Sequence, residues 1–396
     1  MRSRRQQTSA KKRVIAALAV FALILLGIGV FKASQYLPSL WDLLFKKEIQ
    51  LKGMTGAEEK DKKVNILLLG VGGDTHEGTD LTDTVIFASI DPISKKTTLV
   101  SIPRDLWVPD LHAKINSAYL TAEDQQKGSG LKVAKATVSD LLDQPIDYGF
   151  KIDFDGFVKA VDMMGGLDVK IDRGFDDYAY PITGREKDPC GQSEGQIASL
   201  SGQIASGSAT EVDAFPCRYE HLHFDKGPTH LTGTKALKYV RSRHALGPEG
   251  SDFARSKRQT KVITAFKEKV FSVGTFLNPV KVVSLMDILK SSIDTDIKQE
   301  EYDDFIKLFK KMEKAKIQSI AFDTGDVSED RYGLLENPPP DPANGGQWIL
   351  APRVGTSDFS ELQEYVACRL KGIDCKVGRV GITTPTPTPT KKVEKN

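Results

Sequence analysis

An uncharged run from Val14 to Phe31 constrains this chain more than any other feature. As a helix rising about 1.5 Å per residue, its eighteen residues cover roughly 27 Å, close to the thickness of a hydrocarbon core. Arg2, Arg4, Arg5, Lys11, Lys12 and Arg13 precede it, and residues 1–13 hold no acid. Cations flanking a span stay on the cytoplasmic side. Residues 1–13 therefore read as a cytoplasmic end, 14–31 as a single transmembrane helix in the cell membrane, and the rest as an extracytoplasmic body. A cleavable signal peptide is the rival, but the run is longer than the usual apolar segment and Lys32-Ala-Ser-Gln is a poor cleavage site.

The rest of the chain is 32–396, with a composition (40% hydrophobic and 27% charged overall) that suits a folded body and not several spans. Six of the 55 Lys and Arg stand before the run; the remaining 49 face 53 Asp and Glu, a net charge of −4. A mildly acidic body excludes a general nucleic-acid binder. All four cysteines follow the span, on an oxidising side. Proximity pairs Cys190 with Cys217 and Cys368 with Cys375, one of the three pairings possible. Zinc is the alternative, and none of the four belongs to a CxxC pair.

Residues 32–62 read as a polar stalk. A buried strand, Val64 to Leu69, ends in a Gly-rich loop. Val85–Ile90 and Thr97–Ile102 read as a hairpin around Asp91-Pro92-Ile93-Ser94. Leu131–Leu142 and Asp155–Met164 have helical spacing, the second stopped by Gly165-Gly166. Residues 184–219, rich in Gly, Ser and Gln, read as an insertion stapled by a disulfide. Thr232 caps a helix to about Val240, and Phe253–Phe271 forms another. Residues 278–316 look helical and amphipathic, Ile317–Phe322 and Trp348–Leu350 like late strands, and Phe359–Leu370 like a last helix. The order implies a mixed α/β or α+β layered body: a main domain over 63–274, an extension over 275–376 and a disordered Thr/Pro/Lys tail over 377–396.

Four clusters carry chemistry. The loop after the first strand holds Asp74, Glu77, Asp80 and Asp83; carboxylates on a Gly-rich loop suit a hard cation, although a solvated acidic loop looks the same. Arg104 and Asp105 leave a strand end, where an arginine can clamp phosphate, and Lys114 and Asn116 follow closely. Arg241 and Arg243, two apart, share one face if the chain is extended. Arg255, Arg258 and Gln259 share a helix face, with Asp252 at the cap. Each alone is equally an exposed charge. His221 and His223 can ligate a metal from one strand face, but no third ligand is near in sequence, and an ordinary surface pair is the simpler reading.

In this order, NILLLGVGG, LTDTVIFASIDPISKKTTLVSIPRD, KINSAY, FDGFVKAVDMMGGLDV, HFDKGPTHLTGTKALKYVRSRH and DFARSKRQ make the chain resemble the LytR–CpsA–Psr family of bacterial envelope proteins over residues 63–262. The resemblance implies an α/β fold with a central mixed sheet sandwiched by helices and a greasy pocket for a prenyl chain. It implies transfer of an anionic glycopolymer from a polyprenyl diphosphate carrier to peptidoglycan through a phosphodiester, dependent on Mg²⁺ or Mn²⁺. It also implies roles: Asp83 as metal ligand, and Arg104, Arg241, Arg243, Arg255 and Gln259 around the diphosphate. The residues themselves add Asp74 or Asp80 as candidates for a second metal ligand, Lys114, Asn116 and Arg258 as further substrate contacts, and Asp105 or Asp80 as proton acceptor. The family's Asp-x-Arg after the first strand reads Gly72 and Asp74 here, and the arginine before its Ser-Asp-Thr motif reads Leu81. A hydrolase using water on the same site, or a non-enzymatic protein that binds lipid-linked glycan or regulates expression, are the rival functions.

Overall fold

The structure, a computed structural model, describes residues 51–54, 62–72, 81–271, 292–326, 330–379 and 381–383. The expected transmembrane run, most of the stalk, the loop carrying Asp74, Glu77 and Asp80, the cap side chain of Asp252, residues 278–291 and the tail beyond Thr383 lie outside them. Among the described residues no helix is long and apolar enough to cross a membrane. Two units are distinguished. The smaller groups Lys298–Lys310 with Met1–Leu51; in it Lys307 pairs with Asp304 one helical turn away (3.0 Å). The larger comprises Lys52–Ile297 and Lys311–Asn396.

In chain order the elements are β1 (Val64–Val71), β2 (Thr82–Asp91), β3 (Lys96–Ile102), the short hairpin β4 (Trp107–Val108) and β5 (Ala113–Lys114), α1 (Ala118–Gln125), α2 (Gly130–Leu142), β6 (Tyr148–Asp153), α3 (Phe154–Met163), β7 (Leu167–Ile171) and β8 (Phe175–Pro181). There follow α4 (Glu194–Ala205), β9 (Tyr219–Phe224), β10 (Gly227–Leu231), α5 (Gly233–Arg241), α6 (Asp252–Phe271), β11 (Ile293–Thr295), α7 (Tyr302–Lys311), β12 (Lys316–Ala321) and α8 (Ser360–Leu370). The central sheet runs β11-β6-β1-β2-β3-β12. It is mixed: β1–β2, β2–β3 and β6–β11 are antiparallel, β1–β6 and β3–β12 parallel.

The strands are apolar on both faces because helices cover both. On one face Leu67, Leu69, Phe87, Val100 and Ile102 pack with Leu131, Ala134 and Val138 of α2 and Leu362 and Val366 of α8. On the other Leu68, Ile86, Ala88 and Leu99 meet Ile263 of α6. Side chains such as Leu67 and Phe87, fully buried, each contribute about 1.5–3 kcal/mol. The β2–β3 turn closes because Asp91 Oδ1 accepts from the N–H of Ile93 and of Ser94, both at 2.9 Å. A second core joins α3, α5 and α6 to the small ribbons β7–β10 and β8–β9.

Three expectations change. The tail read as disordered from residue 377 begins with a short pairing, Lys376–Val377 against Ile382–Thr383. Ile293–Thr295, inside the stretch read as helical, forms the edge strand β11, where Thr295 Oγ1 donates to the Gly149 carbonyl (2.8 Å). Trp348–Leu350 is not a strand; Leu350 makes one bridge to Leu106, and Ala351–Pro352 pairs with Leu335–Glu336. Cys190–Cys217 and Cys368–Cys375 are both disulfide-bonded, the first fastening the insertion with 5.5 Å between its Cα atoms.

Candidate active site

The register Val85↔Ile102 brings Asp83 and Thr84 opposite Pro103 and Arg104, at the end of the sheet where β1, β3, β6 and β12 finish. Sites in α/β sheets favour this edge. Arg104 Nη1 donates to Asp83 Oδ1 at 2.5 Å, and Arg104 Nε lies 3.5 Å from Asp105 Oδ2. The turn is stitched from both sides: Asn116 N–H donates to the Arg104 carbonyl (3.2 Å), and Leu350 N–H to that of Asp105 (2.9 Å). Asp105 is almost buried and faces three cations, Lys114 Nζ at 3.0 Å, Arg104, and Arg243 Nη2 at 3.7 Å. Burial alone would raise its pKa, but the Lys114 hydrogen bond and the charges of Arg104, Lys114 and Arg243 hold its carboxyl below the usual range. That environment orders cations; it makes Asp105 a weaker proton acceptor than the sequence suggested.

Arg241 and Arg243 arrive by a route the sequence did not suggest. The run is not a continuous strand. Arg241 is the last residue of α5, and Ser242 leaves the helix with φ −51° and ψ 128°. Ser242 is fully buried, its Oγ donating to Asp177 Oδ2 (2.6 Å), which also accepts from the His244 N–H (3.2 Å). Asp177, itself fully buried in β8, is the post around which this loop is wound. α5 is set close to α3 because Gly233 has no Cβ: one there would strike the Val158 backbone. The Arg241 guanidinium lies over the Phe154 ring (4.1 Å) and donates to Tyr180 Oη (3.4 Å). Burial pushes the Tyr180 phenol up, against the pull of Arg241, so it stays protonated at neutral pH.

Arg258 corrects another expectation. It is 2% exposed and is spent inside the protein: Nε donates to the Tyr239 carbonyl (2.9 Å), Nη2 to that of Ser242 (2.7 Å), and Nη1 to Glu249 (2.7 and 3.0 Å). It fastens the arginine loop to α6 and is not a substrate ligand. Arg255 and Gln259 of the same helix line the cavity, and Gln259 Nε2 donates to Thr84 Oγ1 (3.4 Å).

These groups surround a cavity of about 840 Å³. Asp83, Arg104, Asp105, Arg241, Arg243, Arg255 and Gln259 all line it; Lys114 and Asn116 do not. Lys114 acts on Asp105 and reaches the Trp348 ring (5.9 Å), and Asn116 serves through its backbone. The extension supplies wall residues that no motif flagged: Asp323, Arg331 (2.6 Å apart), Asn337 and Trp348, whose indole is half exposed. Arg331 also lies over the Phe253 ring (4.7 Å). The one available signal was an isolated Trp and Arg beside Gly- and Pro-rich turns. In all, five arginines face four aspartates. Asp177 and Asp323 are committed to the loop and to Arg331, Asp105 to Lys114, and Asp83 through Oδ1 to Arg104; of the four, Asp83 sits at the strand end, and its second carboxylate oxygen is the one suited to a hard cation. A cation held by one carboxylate, substrate phosphate oxygens and water matches this donor set.

Residues 44–336 match the LytR_cpsA_psr family. The biofilm regulatory protein A of Streptococcus mutans is 28% identical over 69% of this chain and 61% of its own length. The polyisoprenyl-teichoic acid–peptidoglycan teichoic acid transferase TagV of Bacillus subtilis is 24% identical over 80% of this chain and 71% of its own. The crystal structure of protein gbs0355 from Streptococcus agalactiae shares the fold, with a TM-score of 0.51 and 22% identity over 84% of this chain and 95% of that one. With its mixed sheet, its strand-end arginine and the family match over most of its length, the chain belongs to the LytR_cpsA_psr family.

Proposed function

We propose that the protein transfers an anionic glycopolymer from a polyprenyl diphosphate carrier to peptidoglycan. The observation that carries this reading is the convergence of Arg104, Arg241, Arg243, Arg255 and Arg331, from four separate places in the chain, on one cavity at a sheet end. Guanidinium groups bind phosphate oxygens through paired donors, and a cluster of them suits a diphosphate. The printed name of the Bacillus subtilis relative points to the same class of reaction.

In the proposed reaction an acceptor sugar hydroxyl attacks the phosphorus next to the glycan. A new P–O bond forms, the P–O–P bridge breaks, polyprenyl phosphate leaves, and the hydroxyl proton passes to a base or water. Such transfer needs positioning and neutralisation of charge more than covalent help from the protein. The arginines hold the diphosphate oxygens, and Tyr180 and Asp177 keep Arg241 and Arg243 in place. Asp83 would hold Mg²⁺ or Mn²⁺, which when bound neutralises diphosphate charge. The prenyl chain lies in the membrane or an apolar groove, consistent with an anchored, extracytoplasmic body.

The test is reconstitution of the full chain in liposomes with lipid-linked glycopolymer, Mg²⁺ and peptidoglycan fragments. The expected result is a glycan joined to the fragment by a phosphodiester, with polyprenyl phosphate released. Release only when water is the acceptor identifies a hydrolase, and intact lipid substrate a binding protein; either overturns the transferase reading.

A further inference from the structure

His221 and His223 lack a third ligand nearby in sequence, yet the fold supplies one. Both lie on β9, two residues apart, so their rings project from one face of the β8–β9 ribbon. The register sets Asp176 of β8 directly opposite His223. Asp176 Oδ1 then stands 2.7 Å from His221 Nε2 and 2.7 Å from His223 Nδ1. One carboxylate oxygen thus meets two imidazole nitrogens, and the three ligand atoms lie within 4.8 Å of one another.

The rings are also held from behind. The His221 ring stacks on Tyr178, with centroids 4.1 Å apart and planes within 3°. The other nitrogen of His223, Nε2, faces Asp225 Oδ1 at 3.2 Å. A carboxylate on the far nitrogen of a histidine is the arrangement that orients metal-bound imidazoles and raises their basicity. All three side chains are a third to a half exposed, so an ion can enter, and water can fill the remaining coordination positions. Tetrahedral coordination at about 2.0–2.2 Å sets ligand atoms roughly 3.3 Å apart. The observed 2.7 Å contacts reach that by small rotations of exposed side chains.

We propose that Asp176, His221 and His223 form a surface site for a borderline transition-metal ion, Zn²⁺ first and Cu²⁺ or Ni²⁺ as analogues. Imidazole nitrogen with one carboxylate favours these ions over Mg²⁺ or Ca²⁺. The site is separate from the arginine cavity, whose lining includes none of the three. It is nevertheless joined to it through the backbone: Asp177, the post of the arginine loop, is the next residue, and the Asp176 carbonyl accepts from the Leu246 N–H (2.8 Å). A bound ion would clamp the two strands of the ribbon that carries that post. The inference stands on the ribbon's own geometry and holds whatever the cavity does.

The experiment is calorimetric titration of the untagged full chain in detergent with Zn²⁺, in excess Mg²⁺ so that sites of oxygen ligands alone are occupied. One equivalent should bind, and His223→Ala, His221→Gln and Asp176→Asn should each weaken it at least tenfold. Arg243→Ala should bind as the unaltered protein does. Cu²⁺ should give an electron paramagnetic resonance spectrum with nitrogen hyperfine structure that the triple variant loses. Unfolding curves without metal, expected to coincide for these exposed positions, exclude misfolding as the cause. Zn²⁺ binding that is absent, or equal in the triple variant, overturns the proposal.

Discussion

Arg255 and Arg258 share a helix and do different work. Each residue turns an α-helix by about 100°, so Arg255 and Gln259 point within roughly 40° of each other while Arg258 points away from Gln259. The cavity takes the first pair, and the buried loop between α5 and α6 takes Arg258. Their substitutions should separate accordingly. Arg258→Met leaves buried carbonyls and Glu249 without their donor and should cost on the order of 3–5 kcal/mol in denaturant unfolding. Arg243→Ala, at a partly exposed side chain, should change stability by less than about 0.5–1 kcal/mol and abolish transfer. Retained transfer in a folded Arg243→Ala protein rejects its assignment. Asp105 adds a pH dependence. Its folded pKa lies below the ordinary 3.8, so its contribution to stability is full above that value and is lost as pH falls through the folded one. The stability gap between the protein and Asp105→Asn should therefore narrow as the pH falls below 3.8. A constant gap contradicts the ion cluster around it.

Among the elements, the central hairpin, α2, α3, α5 and α6 were legible because one signal decided each: an apolar run, a turn aspartate, or a cap with helical spacing. What was not legible depended on partners distant in sequence. β11 is three residues long and exists because β6 offers it an edge. The helix exit at Ser242 is held by Asp177, sixty-five residues earlier. Arg331 and Trp348 join the cavity wall from short segments without periodicity, and Asp176 meets two histidines only through strand register. The β8 post carries its own prediction. Asp177→Ala removes the acceptor of the buried Ser242 hydroxyl and the His244 N–H, and should release the loop bearing Arg241 and Arg243. Loss of transfer is expected together with a lowered unfolding midpoint. Asp177→Asn, which keeps an acceptor oxygen, should recover part of both, and equal loss in the two would argue that negative charge, and not loop position, is what Asp177 supplies.

At the scale of the molecule, the sheet makes the site possible. It ends four strands at one edge, and helices on both faces bring α5 and α6 there, so side chains from residue 83 to residue 348 can face one another. The arginine motifs were readable in the sequence; their sharing of one cavity is a property of the fold. That sharing is the central claim. Its most direct test is calorimetric titration of the full chain in detergent with geranylgeranyl diphosphate, beside Arg104→Ala, Arg241→Ala, Arg243→Ala and Arg255→Ala. The account expects a single site, with affinity falling at least tenfold, about 1.4 kcal/mol, for each substitution. Binding that stays within twofold for all four variants, with each still folded, would contradict it.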